Sequence, residues 1–228
     1  MRLRPPGRRL ATSGAWVFLG IATLIAASPA CSLGEGTGEV FSENLFAVNC
    51  WNDRYDMGPD FFAAEPFRDT MQIRVQHGSD LKEVSDGFVI LVNDVEQIRT
   101  EMLGQAIPVS LPPGVAPPGV PVGQQCGGEA CPDPTVHVAL YLLQSCHNQN
   151  TVLYGLSGSV TFTELFSGDE NESTGSDKLT DATFDVMVGD PRDAPLTGES
   201  AGVVPNQSHL QGRFRFFFER GQPAQPFP

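Results

Sequence analysis

The sequence predicts an all-β protein, an antiparallel β-sandwich of about eight strands with one short helix and a long Pro/Gly loop. Three observations carry that expectation. Apolar residues recur with period two along most of the chain, which is the strand signal. The alternating runs are separated by Gly, Pro and Asp/Asn, an arrangement that favours an antiparallel sandwich over a βαβ sheet. The chain has 228 residues and is 40% hydrophobic, too apolar for a disordered acidic polymer and long enough to bury one sizeable core.

The elements follow in chain order. Leu45 to Cys50 forms a first strand. Met71, Ile73 and Val75 alternate with Gln72, Arg74 and Gln76. Phe88 to Val92 is continuously apolar, as expected for a strand covered on both faces. Val95, Ile98, Met102 and Leu103 are spaced as one face of a short helix, with Asp94 and Gln97 as a capping box and Gly104 at its end. Val136, Val138, Leu140 and Leu142 line one face of the next strand. Val152, Tyr154 and Leu156 lead to Gly158, and Val160 to Thr163 follows as the second limb of a hairpin or a bulged bend. Ala182, Phe184, Val186 and Val188 mark another strand. The last has Leu210, Gly212, Phe214, Phe216 and Phe218 on one side and Gln211, Arg213, Arg215 and Phe217 on the other.

From Gly104 to Pro134 the chain holds eight Pro, six Gly and only two charged residues, Glu129 and Asp133. Such a composition does not make a central strand. It is read as a loop within one domain, because residues 40–104 alone supply too few strands to close a sandwich. A linker between two small domains is the alternative.

Charge excludes several functions. The whole chain carries 27 Asp+Glu against 14 Lys+Arg, and the first thirty residues hold four of those Arg and no acid. Residues 31–228 therefore have a net charge of −17, which suits neither nucleic acid nor an anionic lipid surface. A multi-pass membrane protein and a coiled coil are excluded by composition.

The start of the chain reads as an address. Arg2, Arg4, Arg8 and Arg9 form a positive segment, Leu10 to Ala27 is apolar or small, and Ser28-Pro29-Ala30-Cys31 follows. The Cys placed directly after small residues resembles the lipobox of bacterial lipoproteins, with Ser28 standing where that family usually has Leu. The resemblance implies that Cys31 is diacylated, with palmitate-like chains, and becomes the first residue of the mature protein. Ser32 in the next position implies onward transport to the outer membrane. An uncleaved anchor helix is the competing reading of the apolar stretch. The expected organisation is thus a signal peptide over 1–30, a lipidated tether over 31–39 and a single domain over 40–228.

Removing Cys31 from the five cysteines leaves Cys50, Cys126, Cys131 and Cys146, which allow three disulfide connectivities. Proximity favours Cys126–Cys131 around a Gly-Gly loop, and so pairs Cys50 with Cys146. Zinc is disfavoured, because the Cys126-x4-Cys131 spacing is wrong for a knuckle and Cys146 and His147 are adjacent.

Candidate chemistry is thin. Gly198-Glu199-Ser200-Ala201-Gly202 matches G-x-S-x-G, and as a string it resembles the nucleophile elbow of carboxylesterases. Its flanks, Asp190 to Pro195 and Val203 to Asn206, supply neither the strand nor the helix that an elbow needs. After Ser200 the order of acid and His is also wrong, since His209 precedes Glu219. The run Gly168 to Asp177, with Asp181 beyond, partly resembles an EF-hand loop at Asp169, Asn171 and Ser173. Thr174 and Thr180 replace its turning Gly and its bidentate Glu, so a solvated hairpin tip is favoured over a calcium site. His77, His137, His147 and His209 show no metal-binding spacing. Asp53, Asp56 and Asp60 flank Trp51, Tyr55, Phe61 and Phe62, an arrangement suited to stacking on a sugar or to a pair of glycosidase acids. The plainer reading makes Phe61, Phe62 and Phe67 a plug for one end of the core. Arg213 and Arg215 are expected to pair with acids.

The sequence thus points to a non-enzymatic, lipid-anchored binding or structural module of the cell envelope, with no cofactor. Its expected contacts are the membrane, through the lipid, and an envelope protein or glycan. Hydrolase and calcium-stabilised readings are the alternatives. Intact mass of the membrane-extracted protein, alkylated without reduction, checks the address and the cysteines together. The expected species begins at Cys31, carries acyl chains and has no alkylated thiol; an unprocessed mass defeats the lipoprotein reading.

Overall fold

A computed structural model describes residues 36–78, 85–112, 114–115, 135–147, 149, 151–195 and 202–218. Ten strands form one antiparallel sheet: β1 (Gly36–Ala47), β2 (Trp51–Met57), β3 (Phe61–Phe67), β4 (Thr70–Gln76), β5 (Asp86–Val92), β6 (Ala106–Pro108), β7 (Val136–Leu142), β8 (Val152–Glu164), β9 (Leu179–Gly189) and β10 (Ser208–Phe217). Their spatial order is β2-β1-β10-β9-β8-β7-β5-β4-β3, with β6 paired to β8. The all-β antiparallel expectation holds, but the sandwich does not. There is one sheet, curled as a half-barrel, in place of two stacked layers. Strands before and after the Pro/Gly segment pair directly, β5 with β7.

Curling replaces stacking because the inner face covers itself. Val40, Leu45, Ile73, Phe88, Ile90, Val138, Leu140, Phe162, Phe184, Phe214 and Phe216 are all at most 4% exposed and share one core. Phe88 on β5 stacks on Phe184 of β9, with ring centroids 4.3 Å apart. Phe62 on β3 stacks on Phe216 of β10 at 5.8 Å, across the curl. The Phe62 ring occupies the space that a Cβ at Gly36 or Gly38 would need, so these two glycines let β3 close against the start of β1.

Most of the predicted faces are observed. Val136, Val138, Leu140 and Leu142 are buried together, as are Ala182, Phe184, Val186 and Val188, and Leu210, Phe214 and Phe216. β8 departs from its expected face. Leu153 and Gly155 point inward, and then Val160 and Phe162, while Val152, Tyr154 and Leu156 are half-buried. A register shift between Gly155 and Ser157 inserts one residue and reverses the alternation. β7 and β8 diverge at this bulge, and β6 fills the gap, with Val109 bridging to Val136. On β5, Val89 and Leu91 are only half-buried, so the second face is partly covered.

β1 extends further than expected. It begins at Gly36, inside the segment read as a tether over 31–39, and Gly36 pairs with Phe216. The predicted helix exists as α1 (Val95–Gln97), continued by a π-helical turn over Ile98–Met102, with Val95 and Ile98 buried. Its capping box does not form: Asp94 has φ 53° and its side chain caps nothing. Gly104 ends the segment at φ 77°, and its N–H donates to Phe162 O at 2.7 Å.

Gly212 gives a check on the curl. A Cβ there would collide with the Glu39 carbonyl on β1 and with the Phe184 ring. Gly212→Ala is expected to cost about 1–3 kcal/mol in urea unfolding, the usual penalty for overpacking. Thr174→Ala, in an exposed turn, is expected to stay within about 0.5 kcal/mol of the parent.

Candidate functional site

The β1–β2 turn ends at Cys50, where Asn49 adopts φ 58° and Cys50 N donates to Ala47 O at 3.0 Å. Asn is among the few non-glycine residues that accept this conformation. Cys50 is bonded to Cys146 across 96 residues, with Cα atoms 5.6 Å apart, as the sequence expected. Closing a loop of this size restricts the unfolded chain by about 4–5 kcal/mol in the entropic account. Cys31, Cys126 and Cys131 lie outside the described residues.

Asp86 reinforces the same corner. It opens β5, is 5% exposed, and is enclosed by donors from two other elements. Gln144 N and Ser145 N donate to Oδ1 at 2.9 and 3.0 Å, and the Ser145 hydroxyl and Tyr55 OH (3.2 Å) donate to Oδ2. A buried carboxylate with this many donors is stabilised where an unpaired one would be costly. Burial, and then the negative charge of Asp86, push the Tyr55 hydroxyl far above the usual tyrosine range. Tyr55 therefore stays a neutral donor at every physiological pH.

Beside this corner lies a cleft of about 450 Å³, lined by Trp51, Asp53, Arg54, Asp56, His77 and Ser145 among others. That volume falls in the range of small-ligand sites. Trp51 is half-buried; its indole N–H donates to Asp53 O at 3.2 Å, and it meets Tyr55 edge-on with centroids 5.7 Å apart. Arg54 reaches Asp56 at 3.4 Å and lies 4.8 Å over the Phe41 ring. His77 Nδ1–H donates to Gly58 O at 2.9 Å. Asp60 turns away and accepts Gly78 N at 2.6 Å. A second depression, about 420 Å³, lies on the outer face, where Arg213 pairs with Glu39 at 3.1 Å.

Of the acidic-aromatic cluster, Trp51, Asp53 and Asp56 come together at the cleft. Phe61 and Phe62 are buried as the plug reading requires, but Phe67 is 69% exposed and plugs nothing, because it sits at the β3–β4 hairpin tip. The acidic run forms turns that use their own carboxylates: Asp169 Oδ1 accepts Asn171 N at 2.8 Å, and Glu172 Oε1 accepts Thr174 N at 2.7 Å. That backbone bond is the main reason the Glu172 carboxyl lies below its ordinary range. Asp177 pairs with Arg99 at 3.1 Å and Asp181 with Arg215 at 3.6 Å.

The histidines stay apart. His137 is buried, donates from Nδ1 to Ser110 O at 2.9 Å and accepts Asn93 Nδ2 at 3.4 Å on Nε2. His209 meets Asp185 at 2.8 Å on the surface. Among the described residues, no three His, Cys, Asp or Glu side chains converge as metal ligands. Ser200 and residues 196–201 lie outside the described residues. Asp86 and Ser145 are the members of this corner that sequence reasoning missed. The available signal was an acid directly before the apolar run Phe88 to Val92, where a buried strand has to meet it with donors.

The architecture is that of an all-β half-barrel with a disulfide-tied, aromatic and acidic cleft at one end. Compared with family models, curated sequences and solved structures, the chain matches none.

Asp86→Ala is expected to lower stability by about 3 kcal/mol or more, since two backbone N–H groups lose a charged acceptor. Tyr55→Phe, which removes one donor and leaves the others, is expected to cost about 1 kcal/mol. Equal losses in urea unfolding would contradict the central role of Asp86.

Proposed function

We propose that this protein is a non-enzymatic, lipid-anchored binding module of the bacterial cell envelope, held in the outer membrane by acyl chains on Cys31. Its contact surface is the Trp51 cleft and its ligand is a glycan. The single observation that carries this reading is the composition of the cleft. A half-buried indole, edge-on to Tyr55, lines it together with the exposed residues Asp53, Arg54 and Asp56, which bear hydrogen-bond acceptors and donors. Sugars are recognised by such pairing of an aromatic surface with hydrogen-bonding side chains.

Two further observations support it. Polar groups lining the cleft already serve structure: the buried Asp86 is enclosed by four donors, and the exposed His77 donates to Gly58 O. Groups so engaged support a binding role better than proton transfer. A disulfide joining distant halves of the chain suits an oxidising compartment outside the cytoplasm.

Titrating the protein with a panel of neutral and amino-sugar oligosaccharides, read by Trp51 emission and calorimetry, tests the proposal. A saturable response is expected, weakened about fivefold by Asp56→Ala, the worth of one hydrogen bond. A flat response across the panel overturns the glycan reading. Turnover of ester or glycoside substrates that a single substitution abolishes overturns the non-enzymatic one.

A further inference from the structure

Three of the five large exposed apolar side chains among the described residues lie at one end of the sheet. They are Phe67 (69% exposed), Phe217 (40%) and Leu103 (39%); the other two are Val48 and Val203. Strand register carries the three toward one end of the sheet. Phe67 closes the β3–β4 hairpin opposite Thr70, Met71 pairs with Val92, and Val92 pairs with Val136 at the start of β7. Val95 N donates to Asp69 O at 3.0 Å, which ties the helical segment, and so Leu103, to that hairpin. On the other flank Phe217 pairs with Leu179, and the neighbouring Phe216 pairs with Gly36. The exposed aromatics therefore share an end with the first residue of β1.

The hairpin tip has an unusual backbone. Four non-glycine residues among those described have positive φ: Asn49, Asp94, Asn206 and Arg68 (φ 55°). Asn and Asp tolerate the left-handed region, whereas Arg pays a steric cost there. The tip therefore holds, at some cost, a cation beside an apolar ring, with the guanidinium 5.4 Å from the Phe67 ring centre. Residues kept in strained conformations on an exposed tip suit a contact role better than a packing role.

Chain length supplies the partner. Phe62 lies against Gly36, and Phe67 is five residues further along β3, about 17 Å beyond it at strand rise. Cys31 is five residues before Gly36, so their Cα atoms are at most about 18 Å apart. A lipid on Cys31 can thus reach the level of the Phe67 tip, with almost no slack. We propose that the Phe67–Arg68 hairpin tip is a membrane-docking surface that inserts into the bilayer interface and fixes the domain's orientation on it. This rests on the lipidated Cys31 reading.

The surrounding charge sets the lipid class. The turns carrying Asp169, Glu170 and Glu172 stand beside the tip, since a Cβ at Gly168 would lie 3.6 Å from Pro66. These carboxylates repel anionic headgroups, so the surface fits a zwitterionic bilayer, with Arg68 meeting its phosphates.

The test uses the acylated protein in phosphatidylcholine vesicles containing brominated acyl chains, which quench nearby indoles. In the mature chain, Trp51 at the far end is the unquenched internal reference. Phe67→Trp is expected to add emission that is blue-shifted and largely quenched, whereas Val203→Trp adds emission that is not. Anionic phosphatidylglycerol vesicles are expected to reduce the quenching of Phe67→Trp. A parallel protein, with residues 1–31 replaced by a hexahistidine segment held on nickel-chelating lipid, repeats the measurement without acylation. Quenching at Phe67→Trp in this arm sustains docking even if mass spectrometry finds Cys31 unmodified, a result that defeats only the anchor reading. Phe67→Trp emission that stays unquenched in both arms, like that of Val203→Trp, overturns the docking surface.

Discussion

A single ten-stranded layer buries an apolar face only by bending round until that face meets itself, and every other feature of this molecule depends on that bend. Two stacked sheets would bury the same residues without such curvature. Here the contacts that stand in for a second layer are ring pairs between distant strands of one sheet, Phe88 with Phe184 and Phe62 with Phe216. They require close approach at Gly36 and Gly38, and a bulge in β8 that re-aims its second half. Bulges and glycines are the usual means by which antiparallel sheets acquire curvature. The curl in turn brings Tyr55 on β2 within reach of Asp86 on β5, although five strands separate the two in the sheet.

This explains which parts of the structure were legible in the sequence. Period-two alternation reports which side of a strand is apolar, and it did so for β4, β7, β9 and β10. It carries no information about whether the apolar sides face a second sheet or a bend of the same sheet. The two arrangements demand identical patterns, so the sandwich expectation failed where the pattern is silent. β8 failed for a related reason: one inserted residue near Gly155–Ser157 shifts the phase, and Val152, Tyr154 and Leu156 look inward only if the phase is carried through unbroken. The start of β1 was hidden by composition. Gly36 and Gly38 read as tether, yet they are needed because Phe62 occupies the space beside them.

The site shows the same division. Cys50–Cys146 was accessible by counting, because pairing the two near cysteines leaves the two distant ones. Trp51 and Asp53 were accessible because they are neighbours in sequence and, as alternate residues of β2, share a face, whereas Asp56 falls on the other. Asp86 was not, because its donors come from Gln144 and Ser145, which the pairing of β5 with β7 brings near it, and from Tyr55, which the curl brings near it. Phe67 was misread for the opposite reason. An aromatic in a strand pattern is assigned to the core by default, and only the two-residue connection to Thr70 places it at a tip.

The two ends of the sheet therefore have different constraints acting on them. β1 spans 12 residues, so Trp51, which pairs with Ala47 at its end, stands about 36 Å along the strand from Gly36. Phe67 and Phe217 are exposed toward the Gly36 end; the disulfide and Asp86 act on the other, where they hold the cleft. The cleft corner is the one with a covalent crosslink and a buried, fully engaged carboxylate, so it is rigidly tied. Preorganisation of that kind lowers the ordering cost of binding.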